Sequence, residues 1–138
     1  MGAFATRFSE FFWHAELQPL EDAADLILVD APADIWLAEA VVQQQLKDRL
    51  RYVIPLLNPP VVERLRRNKV NELPPPIDEA FPVEIATPEG TTRAEAWMLT
   101  WEPRVEAVPL KADVAGGTCT VMFPELKIFR TLVVEFMP

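Results

Sequence analysis

ADIWLAEAVVQQQLKDRLRYVI, residues 33–54, carries the strongest secondary-structure signal in the chain, and its reading decides the fold class. Trp36, Ala40, Leu46, Leu50 and Val53 approximate one face of a helix. Glu39, Gln43, Lys47 and Arg51 form a polar line at steps of four, with the acid N-terminal to the bases. Asp30 and Pro32 precede it as a start signal: an oxygen acceptor for free N–H groups, then a proline in the first turn. Pro55 ends or kinks the pattern. The spacing predicts a helix over 33–54.

Two shorter helices are expected around it. AFATRFSEFFWH (3–14) places Phe4, Phe8, Phe11 and Phe12 at helical spacing, and VVERLRRNK (61–69) reads as one more turn or two. Leu26 to Val29 is a short apolar run with the character of a strand. NELPPPIDEAFP (71–82) cannot continue a helix, and beyond it the sequence changes. FPVEIAT, TRAEAWMLTW, RVEAVPL, GTCTVMF and LKIFRTLVVEFM are short runs separated by turn signals, as in antiparallel strands. In the last run Ile128, Leu132, Val134 and Phe136 share one face with Arg130, and Phe129, Val133 and Met137 the other.

The expected architecture is therefore a single α+β domain over residues 1–138. N-terminal helices (about 1–70) are followed by a mostly antiparallel sheet or small barrel (83–138), joined by the proline-rich segment 71–82. Neither half is large enough to be comfortably stable alone. An internal joint is thus expected at 71–82, and an extended arm reaching a neighbour is the second choice, with Leu73, Ile77 and Phe81 as apolar anchors.

Composition narrows the function classes. The 138 residues carry a net charge of −8, which opposes binding to a phosphate backbone, so no nucleic-acid partner is expected. The one basic cluster, Arg64, Arg66, Arg67 and Lys69, lies between Glu63 and Glu72 and reads as a solvated helix end. No run approaches the length of a membrane span, and the N-terminal stretch lacks the order of a secretion signal; a cytoplasmic or particle-assembled location is expected. Fourteen prolines, three asparagines and an arginine-to-lysine ratio of nine to four fit a thermophilic or a high-GC source.

Catalytic resources are few. The chain has one His (His14), one Cys (Cys119) and one Ser (Ser9), which leaves a nucleophile–base–acid triad implausible. Cys119 alternates with Thr118 and Thr120 and reads as an inert core thiol. No clustered His and Cys and no phosphate loop are present, so no metal and no cofactor are expected. Glu84, Glu95, Glu102 and Glu106 fall on or beside predicted strands, where Arg93 and Arg104 suggest cross-strand ion pairs rather than acid–base work.

The expected function is a non-catalytic structural subunit, not an enzyme. It self-associates or joins other subunits of an assembly, in the style of a bacteriophage head or tail component. Phe4, Phe8, Phe11, Leu73, Ile77, Phe81, Trp97 and Trp101 are the candidate contact residues. The alternative is a small ligand-binding or enzymatic α+β cone, with a pocket lined by Trp97, Trp101 and the strand carboxylates.

Overall fold

The computed structural model describes residues 17–31, 40–58, 77–101, 104–126 and 129–138. Along the chain they form β1 (Gln18–Pro19), one helical turn α1 (Ala23–Leu26), β2 (Ile27–Val29), β3 (Val42–Gln45), β4 (Leu50–Leu57) and β5 (Phe81–Ala86). There follow β6 (Arg93–Thr100), β7 (Glu106–Leu110), β8 (Ala112–Ala115), β9 (Thr118–Phe123) and β10 (Phe129–Met137). Two antiparallel sheets result: six strands in the order β1-β3-β4-β10-β6-β7, and four in the order β2-β5-β9-β8.

The α+β expectation is corrected here. Residues 40–54, the described part of the predicted helix, are a hairpin of β3 and β4. The reason is visible in the burial of β4. Tyr52, Ile54 and Leu56 turn toward the other sheet, while Arg51, Val53 and Pro55 turn away, a period of two that only a strand satisfies. Tertiary pairing overrides the helical spacing: Val53 lies opposite Val133 and Ile54 opposite Leu132 of β10. Pro55 is tolerated because β3 pairs only with Leu50–Val53, so β4 has lost its partner on that side before Pro55 is reached. The predicted helices over 3–14 and 61–69, with Phe4, Phe8, Phe11 and Leu73, lie outside the described residues.

The division into a helical and a β half is corrected too. β4 and β6, from either side of segment 71–82, both pair with β10 in one sheet. The described end of that segment is tied in: Ile77 and Leu126 exchange backbone hydrogen bonds of 2.7 and 2.9 Å, and both side chains are buried. Phe81 already opens β5.

The core lies between the sheets. Tyr52, Ile54, Leu56, Ala96, Met98, Leu132, Val134 and Phe136 of the six-stranded sheet meet Ile27, Phe81, Val83, Ile85, Cys119, Val121 and Phe123 of the other. Tyr52 and Phe136 pack edge-on at 5.0 Å between ring centres. Two connections set the geometry. Lys111 alone separates β7 from β8, so one extended run passes from one sheet to the other there. Gly116 and Gly117 join β8 to β9 with φ of 58° and 79°, the left-handed pair a two-residue hairpin turn requires.

Candidate functional site

The second face of the six-stranded sheet, turned away from the core, gathers the chemistry. Cross-strand register arranges it in rows. One row is apolar: Val53, Val133 and Trp97 stand side by side on β4, β10 and β6. Val53, Leu99 and Val133 are buried there, with Trp97, Trp101, Val105, Phe129 and Val42 packed around them. The neighbouring row is polar: Gln44, Arg51, Glu135 and Glu95 lie opposite one another on four adjacent strands.

Two carboxylates opposite each other on paired strands repel unless cations intervene. Here Glu135 faces Glu95, and two arginines from the β3–β4 hairpin supply the charge. Arg49 donates through Nη1 to Glu135 Oε1 at 2.8 Å, and the same nitrogen lies 3.6 Å from Glu95 Oε2. Arg51 grips the other oxygen, Oε2, through Nε at 2.8 Å and Nη2 at 2.7 Å, in a two-pronged contact. Its Nη1 reaches Gln44 Oε1 at 3.4 Å. The Glu135 side chain is 7% exposed, whereas that of Glu95 is 48% exposed. The hydrogen bond to Glu135, then that to Asp48, raises the Arg49 guanidinium above its ordinary value. Both Glu135 oxygens are thus committed to guanidinium donors. This geometry holds a sheet together; it does not present a free base to a substrate.

Other reactive groups are sequestered. Cys119 is wholly buried on the inner face of β9; burial, then the charge of Asp113, pushes its thiol up from 9.0 to about 11. Such a thiol is not a nucleophile at neutral pH. Burial raises the Tyr52 hydroxyl likewise. Arg130 is buried on the inner side of β10 and donates to the Phe129 carbonyl at 3.0 Å. Among the described residues, open clefts lie at the margins. One of about 330 Å³ is lined by Gln45, Arg49, Pro88, Glu89 and Thr91. Another, about 440 Å³, is lined by Gln18, Glu21, Asp22, Leu26 and Gln43. Among the described residues no three His, Cys, Asp or Glu side chains gather as a metal site.

The structure scatters the carboxylates expected to line a pocket. Glu95 shares a face with Trp97 and Trp101; Glu84 is exposed on the far side of the four-stranded sheet; Glu106 sits on β7 opposite Thr100; Glu102 lies outside the described residues. Ile77 and Phe81 are core residues of the sandwich. Among the described residues Glu135 pairs with Arg49 and Arg51, and neither Arg93 nor Arg104 takes part in that cluster. Sequence reading missed this cluster because it placed Arg51 on a helix. Read as a strand, RYVIPL puts Arg51 on the same side as Val53, and Glu135 alternates into register with it.

No protein-family model matches the chain, and no curated protein matches its sequence. Solved structures do match in fold. One is a cycloisomaltooligosaccharide glucanotransferase of a Paenibacillus species, in complex with cycloisomaltoheptaose. At 9% identity and a TM-score of 0.66, the match covers 94% of this chain and 19% of that one. Another is the α-L-fucosidase isoenzyme 2 of Paenibacillus thiaminolyticus, at 19% identity and a TM-score of 0.53, over 82% of this chain and 16% of that one. This chain thus spans less than a fifth of either enzyme. At such identities the likeness is one of fold. It accords with the two antiparallel sheets and with the correction of the α+β expectation, and nothing in it supports a virion component.

Proposed function

We propose that this chain is a non-catalytic β-sandwich module, an assembly and docking unit in a carbohydrate-active context. The observation that carries the reading is the Glu135 clamp. The one acid buried among the described residues has both oxygens held by Arg49 and Arg51. The wholly buried Cys119 points the same way. The fold likeness to less than a fifth of each of two larger enzymes supports a part that accompanies catalysis, with the sugar context resting on that likeness alone.

The test pairs turnover with mass. The purified chain is expected to release no product from a panel of aryl glycosides or from an α-1,6-linked glucan. Light scattering is expected to show association with itself or with a catalytic polypeptide from the same source. Turnover that disappears in Glu95→Gln, with the fold intact, would overturn the reading.

A further inference from the structure

We propose that the outer face of the four-stranded sheet docks a cationic, partly apolar polypeptide segment. Among the described residues only two large apolar side chains are well exposed, Leu28 at 59% and Met122 at 50%. Both belong to this one face. Leu28 stands opposite Glu84 on β5, and Met122 stands opposite Pro82, two residues along the same strand and on the same side. Exposed apolar side chains scattered singly need no explanation, but these two share a face bridged by Pro82. Methionine is well suited to such a role, because its unbranched thioether adapts to varied partners.

The charge around them is mostly negative, with Lys111 at one corner as the exception. Glu84 lies between Leu28 and Thr120 in the central row, and Asp113 closes that row on β8. Asp30 follows β2 and is exposed beside Pro82, to whose carbonyl its backbone N–H donates at 3.1 Å. Among the described residues of this face there is no lysine or arginine. The nearest is Lys111 at the corner between sheets, whose Nζ lies 3.6 Å from Asp113 Oδ1. On the opposite sheet Glu135 and Glu95 are matched by Arg49 and Arg51, whereas among the described residues no ion pair holds Glu84 here. An apolar centre with an acidic rim fits Lys or Arg side chains set around one or two apolar ones. A second copy presenting the same face would bring its acids against these, which disfavours a symmetric pair.

The inference rests on the reading of the chain as a docking module and adds the chemistry of the partner. The probe is a ten-residue capped peptide of alternating lysine and leucine, titrated into the full chain at low ionic strength by calorimetry. Saturable binding is expected. It should weaken on the order of tenfold in the Leu28→Ser/Met122→Ser double variant, the equivalent of about 1.4 kcal/mol. A comparable loss is expected in Glu84→Gln, and less than about a twofold change in Glu89→Gln on a distant turn, a difference that screened surface charge alone does not produce. If the serine double variant fails to fold, Glu84→Lys should abolish binding instead. Equal weakening by all variants, equal binding of a serine–leucine peptide, or a self-associated species that vanishes in the double variant would each overturn the proposal. Sugar turnover by the chain would remove the module reading while leaving this titration unchanged; a flat titration would remove this inference alone.

Discussion

Glu135 is the residue on which the polar row depends. Its removal leaves Arg51, whose side chain is only 11% exposed, without its strongest acceptor. Breaking a buried pair from one side costs about 3–5 kcal/mol, and the partial wetting of this row lowers the expectation for Glu135→Ala to about 2–3 kcal/mol. Urea unfolding measures it, and Arg51→Ala combined with Glu135→Ala should cost less than the sum of the two. Cys119 gives a second test at this scale. Its folded thiol titrates at about 11 and its ordinary value is 9.0, so the native state holds the proton more tightly than the unfolded chain. Its contribution is complete below about pH 9 and is lost as pH rises toward about 11. Unfolding free energy should therefore fall over that window by on the order of 2 kcal/mol. Cys119→Ala should lose most of the slope and keep the part that the raised Tyr52 hydroxyl supplies at higher pH. A variant that keeps the full slope would show that other groups cause it. That Cys119 is a core residue was legible from its neighbours Thr118 and Thr120; the Glu135 clamp was not, because its members are 84 and 86 residues apart in sequence.

The β3–β4 hairpin is where sequence and structure part. The helical face of Trp36, Ala40, Leu46, Leu50 and Val53 is a local pattern, and nothing local says that β10 is waiting as a partner. The strands after residue 80 were legible because turn residues punctuate them, the glycine pair at 116 and 117 above all. β8 was hidden, since ADVA is short and its alternation is carried by small side chains. Ile54→Ala separates the two readings of the hairpin. In a helix the change would raise propensity and stabilise by a few tenths of a kcal/mol. In β4 it empties a site facing Leu132 and the opposite sheet, at an expected cost of about 2–4 kcal/mol. Chemical unfolding of this variant reads the sign directly. The β8–β9 turn offers a parallel test: Gly117→Val forces a β-branched residue to a φ of 79° and should destabilise by about 1–2 kcal/mol, although open space surrounds the position.

At the scale of the molecule, the two sheets of the sandwich contribute differently. The six-stranded sheet buries both sides of β10, from Arg130 to Met137, and clamps Glu135 between Arg49 and Arg51. The four-stranded sheet buries one side and leaves acids with two exposed apolar side chains on the other. The proposed module role depends on β4 being the strand that binds β10 on one flank, because that pairing brings Arg51 to Glu135. That pairing is the claim most exposed to test. Backbone nuclear magnetic resonance of the labelled chain measures it through cross-strand nuclear Overhauser contacts. Contacts joining Val53 to Val133 and Tyr52 to Val134 are expected, with an extended-chain pattern over residues 50–57. Sequential amide–amide contacts running through residues 42–54, without any contact to β10, would restore the helix and contradict the sandwich.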